Sequence, residues 1–533
     1  MDLLSRAKVA FLIFLPGLVF WFFGAIWAIS SPQSASADDD FHLTSIWCAG
    51  GENESCKFLI NGNVAVPQEL NSSLLAQGIT GNPPCFVDWV ERSESAGCLE
   101  KNNTDLLVES SRINKGYNPP LFYKTLNLFV IDDSIEKSIR NMKIFNVTLF
   151  SLLLILIKVS SNRLTYNYYI LSLGIGLTPI GVILIGSTNP SSWVTIGLIT
   201  FPVFLHNLVQ ERWRINKYVN IFGLIISTIL TLGSRFDGYF FILLVSATVL
   251  FNYHAKIKSK AVVISIISVS LTLILSSTVW LNRKFGSIIG SYFDGGKRVS
   301  LFGFPKENMS EKQPNSVVNL FLEIPSYFAS FAGAQKPIWA QPQGNLGRNF
   351  GYGIGWLEFN FPSLTGIFLT LIIFYILLAS LKNASIRTLI SLSGLVFGVL
   401  ALILFMRARN GFINDFYFQT RYLYPIFIVF LFMSINNSQI IGKYFTRIEK
   451  TVIFLMVFTA TSIAWLFYIS RYSSGLNFPY TTFAAPIDWW PISFYFGKLK
   501  LFILFLTLNS LWLYVSVLRP LSDKSLAKVK NYN

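Results

Sequence analysis

Long, nearly uninterrupted runs of apolar side chains alternate with short polar connections over most of the chain. The first runs from about 8 to 30, directly behind Arg6 and Lys8. Further runs fall near 144–160, 165–187, 192–209, 219–233, 238–253, 261–281, 363–381, 388–406, 422–436, 451–470 and 499–518. A helix needs roughly 20 apolar residues to cross a bilayer, so the pattern predicts about twelve transmembrane helices. The length of the first run and the lack of an A-x-A site predict a retained anchor rather than a cleaved signal peptide. Three connections break the rhythm, at about 31–142, 284–362 and 471–497. The second is too rich in Gly and Pro to span, yet holds aromatic stretches such as Phe321 to Phe331, which predicts interfacial or re-entrant helices.

Charge orients this pattern. Basic residues gather in every second connection: Lys158 and Arg163, Arg212, Arg214 and Lys217, Lys256, Lys258 and Lys260, Lys382 and Arg387, Lys443, Arg447 and Lys450, then Arg519, Lys524, Lys528 and Lys530. Basic loops stay on the cytoplasmic side, so both termini are expected there, with the long connections outside a cytoplasmic (inner) membrane. The resulting layout is a first span at 1–30, an outer loop at 31–142, spans two to seven at 143–283, a second outer loop at 284–362, spans eight to twelve at 363–518 and a basic tail at 519–533. Composition agrees: the 533 residues are 52% hydrophobic and 13% charged, which excludes a soluble domain and disorder alike. A formal charge of +16 would raise nucleic acid in a soluble chain, but spread over short loops it serves orientation and contact with membrane lipids. No nucleic-acid partner is expected, and no Gly-rich phosphate loop supports use of a nucleotide on the cytoplasmic face.

The first outer loop differs from the rest in holding 15 of the chain's 27 acids against 8 bases, and all the cysteines: Cys48, Cys56, Cys85 and Cys98. Confined to one outward loop, they read as two disulfides in an oxidising compartment, with three pairings open; a zinc site lacks C-x-x-C spacing. Directly behind the first span comes Asp38, Asp39, Asp40 and His42. Adjacent carboxylates repel, so at least one needs a cation or a proton. A carboxylate there can serve as general base on a sugar hydroxyl, and Asp38, Asp39 and His42 could take a divalent metal, Mg or Mn; the plain alternative is a solvated acidic helix cap.

Other outward signals cluster at span ends. Tyr117, Asn118 and Tyr123 sit in GYNPPLFY, whose aromatics suit sugar stacking or an interfacial belt. Asn189 sits in the tight turn TNPSS between spans three and four. SRFDG puts Arg235 and Asp237 at the end of span five, where they serve a substrate or pair with each other, and Arg421 begins span ten, where its fork could grip a phosphate. His206 and His254 lie toward the cytoplasmic side and read as structural.

In this order the runs ADDDFH, YNPPLFY, NPSS, SRFDG, GWLEFNFP and QTRYLYP resemble those of domain-of-unknown-function family 2142 of polytopic membrane proteins, itself similar to GT-C type membrane glycosyltransferases. Departures from the family pattern are Asp39 for Glu, Asn118 for His and Thr420 for Gly. The resemblance implies an all-α polytopic protein of GT-C-like architecture. It adds Trp356, Glu358, Gln419 and Tyr422 to the substrate-binding residues. It also implies transfer of a sugar from a polyprenyl-phosphate donor to a glycan or lipid acceptor of the cell envelope. Catalysis would come from the cluster Asp38, Asp39, Asp40 and His42, and phosphate binding from Arg421 with Arg235 second. Two other readings remain. A twelve-span transporter or lipid-linked glycan flippase needs broken helices near mid-membrane, for which Pro179 is the modest candidate. A glycan polymerase or ligase would share the donor and transfer a whole oligosaccharide.

Overall fold

A computed structural model describes residues 3–32, 35–36, 38–60, 62–67, 70, 96, 107–116, 118–131, 134–210, 216–253, 361–409, 422–438, 445–474 and 498–523. They form a mostly helical membrane protein. Among the described residues, seven helices are long and apolar enough to cross a bilayer: Phe11–Ile29, Ile135–Ser160, Ser191–Val209, Ser363–Lys382, Ile386–Ile403, Arg447–Ser473 and Leu499–Ser522. The first three belong to helices α1 (Leu3–Ile29), α4 (Ile135–Ser160) and α7 (Ser191–Val209). A further apolar pair, α5 (Arg163–Gly176) and α6 (Pro179–Ile185), meets at 103°, as a broken span or a re-entrant loop does. Three shorter apolar helices also lie on expected runs: α8 (Lys217–Leu232), α9 (Gly238–Tyr253) and, after α10 (Ser363–Lys382) and α11 (Ile386–Arg409), α12 (Tyr424–Ser438). They are followed by α13 (Arg447–Ser474) and α14 (Lys498–Leu513). The expected run at 261–281 and the second long connection up to residue 360 lie outside the described residues.

The break between α5 and α6 has a local cause. Pro179 lacks an N–H and is pre-set for a first helical position, so it restarts the helix instead of continuing it. The freed backbone groups are satisfied by one side chain: the Tyr424 hydroxyl accepts the Thr178 N–H at 2.9 Å and donates to the Gly176 carbonyl. Gly181 permits the approach, since a Cβ there would stand 2.1 Å from the Tyr424 oxygen.

Helix α7 is buried nearly all round, which fits its even apolar surface, and packs along α8, α4 and α12. At one end of the bundle Arg163 Nε meets Asp523 at 2.7 Å, Lys158 lies 3.8 Å over the Tyr166 ring and Asn207 bonds Asn220. The other end gathers the C-termini of α1, α6 and α8 with the N-termini of α4, α7, α9 and α12.

Above that second end sits a small cap. It comprises α2 (Asp39–Trp47), a 3₁₀ turn at Cys48–Gly50, strands β1 (Lys57–Phe58), β2 (Val64–Pro67) and β3 (Leu107–Ser110), and α3 (Pro120–Asn127). The strands form an antiparallel sheet in sequence order, with Ala65 facing Lys57 on one side and Glu109 on the other. An all-α chain was the expectation, and this sheet corrects it; strands of two to four residues are too short to show alternation. Cys48 and Cys56 are disulfide-bonded, while Cys85 and Cys98 lie outside the described residues. In α3 the Pro pair starts the helix, Phe122, Tyr123 and Leu126 turn inward, and Leu121 and Lys124 are exposed.

Candidate functional site

The chain leaves α1 under restraint. Ser30 donates to Ile26 O and accepts from Trp465 Nε1 on α13 at 2.8 Å. The Lys143 ammonium, near the start of α4, donates to Ser31 O, Ser31 Oγ and Pro32 O at 3.2, 3.0 and 3.0 Å. Tyr472 donates to Ala35 O at 3.4 Å.

Asp38 then takes a left-handed backbone, φ 60°, and among the described residues no other non-glycine has positive φ. Asp tolerates this conformation better than most residues, and its occurrence at a candidate site is a recognised place for backbone strain. The kink starts α2 and separates two neighbouring carboxylates. Asp38 stays partly open, 37% exposed, with Arg112 Nη2 at 3.4 Å. Asp39 is fully buried, accepting from Thr188 Oγ1 at 2.7 Å and from Ser36 N at 2.9 Å. Burial pushes the Asp39 carboxyl up to about 6, against the pull of the Lys143 ammonium and of these two donors. Asp40 lies on α2, and its side chain is outside the described residues.

One turn further, His42 Nδ1 lies 3.0 Å from the Tyr123 hydroxyl, with the two rings stacked at 6.1 Å. Asn118 Nδ2 donates to the same hydroxyl at 3.2 Å. Burial raises the Tyr123 phenol far above its ordinary range, so it remains neutral and serves both neighbours as a hydrogen-bonding group. Helix α3 is fastened to the bundle through its neighbour: Phe122 N donates to Gly233 O at 3.2 Å, and the Phe122 ring meets Trp193 edge-on at 5.3 Å.

That docking brings α3 against the turn between α8 and α9. Arg235 there grips Asp237 with Nε and Nη2 at 3.0 and 2.7 Å, gives Nη1 to Ser191 Oγ at 3.1 Å, and lies 3.9 Å over the Tyr422 ring. Its guanidinium is thus a brace between that turn, the head of α7 and the start of α12. The expectation that Arg235 offers its fork to a phosphate meets the simpler fact of its bidentate pairing with Asp237. The turn before α7 is held by Asn189 Oδ1, which accepts from Ser191 N at 2.9 Å. Asn146 on α4 donates to Ser187 O at 2.7 Å and accepts from Trp193 Nε1 at 2.9 Å.

Five of the six sequence runs therefore contribute to one region, through Asp38, Asp39 and His42, Asn118 and Tyr123, Asn189, Arg235 and Asp237, and Tyr422. Tyr117, Trp356, Glu358, Gln419 and Arg421 lie outside the described residues. Among the described residues, no group of three or more His, Cys, Asp or Glu side chains is placed to hold a metal ion. Of the three residues considered for a divalent ion, Asp38 meets Arg112, Asp39 accepts from Thr188 and His42 meets Tyr123.

Lys143, Asn146, Arg112 and Tyr424 are the contributors that reading the sequence did not single out. Lys143 had a signal, being a cation on the end of its span where the positive-inside pattern puts few. Arg112 had none, as its meeting with Asp38 depends on the fold of the cap. No curated protein and no solved structure matches the chain. The model of the family described as predicted membrane protein, domain of unknown function 2142, matches residues 20–430, and the chain belongs to that family.

Proposed function

We propose that the chain is a GT-C type membrane glycosyltransferase, with about twelve spans and both termini cytoplasmic. It would transfer a sugar from a polyprenyl-phosphate donor to a glycan or lipid acceptor on the outer face of the cytoplasmic membrane. The observation that carries this reading is that a partly exposed carboxylate, Asp38, the His42–Tyr123–Asn118 group and the Arg235–Asp237–Tyr422 brace lie at the same end of the bundle. A lipid-linked donor has to be met at such a membrane boundary, where its tail stays in lipid while its sugar reaches water.

Asp38 is the base in this scheme, because its side chain is 37% exposed beside Arg112, whereas Asp39 is fully buried. Asp38 takes the acceptor hydroxyl's proton, the acceptor oxygen bonds the anomeric carbon, and the bond from that carbon to the phosphate oxygen breaks. The electron pair leaves on polyprenyl phosphate, whose charge Arg421 would hold by a bidentate contact. One displacement assisted by one base inverts the anomeric centre, so a β-linked carrier sugar yields an α-linked product. His42 and Tyr123 keep the first turn of α2 in place beneath Asp38. Incubating purified protein with a panel of polyprenyl-phosphate sugars and an envelope acceptor, with Asp38→Asn in parallel, tests the scheme through release of the lipid phosphate.

A transporter or lipid-linked glycan flippase is favoured by one feature, the 103° break between α5 and α6. Under that reading Asp38→Asn would leave passage of a labelled carrier lipid between leaflets intact, and no sugar would be transferred by the wild type.

A further inference from the structure

Lys143 is unusual twice over. It lies at the end of α4 that carries the site, and it is 2% exposed, although lysine is almost never buried unless partnered. Its three contacts all go to the stretch of chain leaving α1: Ser31 O, Ser31 Oγ and Pro32 O. On the same helix, Asn146 holds Ser187 O at 2.7 Å. Between these two anchor points Asp39 forms the bridge, taking the Ser36 N–H on one oxygen and the Thr188 hydroxyl on the other. The bonds close a ring that runs from α4 to the exit of α1, through the head of α2 to the turn before α7, and back to α4. Lys143 is also the charged group whose field acts on the buried Asp39 carboxylate.

We infer that Lys143 is a positioning residue of this site: through the exit of α1 and the buried Asp39 it fixes where Asp38 stands. The inference rests on the transferase reading for its catalytic meaning. Removing the ammonium strips three acceptors of their donor and takes away the positive field that acts on the buried Asp39 carboxylate. Removing both charges together is milder. In Asp39→Asn the amide can donate to the Thr188 oxygen while its carbonyl accepts from Ser36 N, so a neutral bridge survives beside a neutral residue 143.

The test compares wild type, Lys143→Met, Asp39→Asn and the double variant, each purified in lipid nanodiscs. Two readouts are taken: backbone hydrogen exchange over residues 35–47, and kcat and KM for a polyprenyl-phosphate sugar. Lys143→Met should exchange this segment at least about tenfold faster and lose roughly 10²-fold in kcat, the scale on which a misplacement of about 1 Å acts, with KM for the donor little changed. The double variant should regain at least about tenfold in kcat over Lys143→Met and recover most of its exchange protection, because the two sites are coupled. If Lys143→Met does not accumulate, Lys143→Gln, which is uncharged and one atom shorter than the lysine, replaces it in the same comparison. Wild-type exchange and turnover in the Lys143 variant, or losses that simply add in the double variant, would overturn the inference. A wild type that releases no lipid phosphate from any donor contradicts the transferase reading instead, and the exchange data then decide the hold of Lys143 on their own.

Discussion

Asp38 and Asp39 are covalent neighbours in opposite environments, and the difference makes separate predictions for each. Asp38→Asn should lower turnover by about 10² to 10⁴ with the fold intact, since a positioned base contributes on that scale. Near-normal transfer by this variant would remove Asp38 from the mechanism. Asp39 should reveal itself through stability. Its carboxyl rises from 3.8 to about 6 in the folded chain, so the native state holds the proton more tightly than the unfolded one. Its contribution is therefore complete below about 3.8 and is lost as pH climbs through about 6, a change on the order of 3 kcal/mol. Melting temperatures in detergent between pH 4 and pH 7 should fall for the wild type relative to Asp39→Asn, and parallel curves would contradict the assignment. The acidic cluster was legible in the sequence as a place for chemistry. Which carboxylate is open was not, because the αL kink at Asp38 and the burial of Asp39 arise from contacts with Thr188, Ser36 and Lys143, up to about 149 positions away.

At the scale of elements, apolar periodicity was a good guide to the long helices and a poor one to the cap. Strands of two to four residues carry no readable alternation, and their pairing is held in part by the fold of a loop whose sequence is simply polar. The cysteines announced covalent bracing there. Cys48 and Cys56 close a loop of separation 8, and breaking the bond by Cys48→Ser should cost about 2 to 3 kcal/mol of cap stability. Faster proteolysis of the cap with an unchanged membrane core is the expected readout, and equal proteolysis would show that the bond is idle. Pro179 likewise marked the break between α5 and α6, but not its remedy. Tyr424 supplies that from a helix far along the chain, and Tyr424→Phe would strand the Thr178 N–H and the Gly176 carbonyl. The loss should be about 1 to 3 kcal/mol, read as a lower melting temperature in detergent; an unchanged melting temperature would mean the break satisfies itself.

Over the whole molecule, the elements alternate so that residues from widely separated runs share one end of the bundle, while basic groups such as Lys158 and Arg163 mark the other. Sequence order alone suggested a shared site, through six short motifs spread along nearly the whole chain; the convergence of five of them, through contacts such as those of Phe122, Gly233 and Ser191, required the packing. The proposed orientation follows the basic connections, and impermeant thiol labelling of intact cells should then reach a cysteine introduced at an exposed position of the cap by Glu54→Cys. Its protection would invert the topology and move the site to the cytoplasmic side. The central claim is that this end of the bundle transfers a sugar from a lipid phosphate using Asp38 as base. The most direct measurement is release of free polyprenyl phosphate by purified wild type and Asp38→Asn protein across a panel of polyprenyl-phosphate sugars with an envelope acceptor. The account predicts acceptor-dependent release with at least one donor, inversion at the anomeric carbon and a loss of about 10² or more in Asp38→Asn. Equal release by the two proteins, or none by the wild type with any donor, would contradict it.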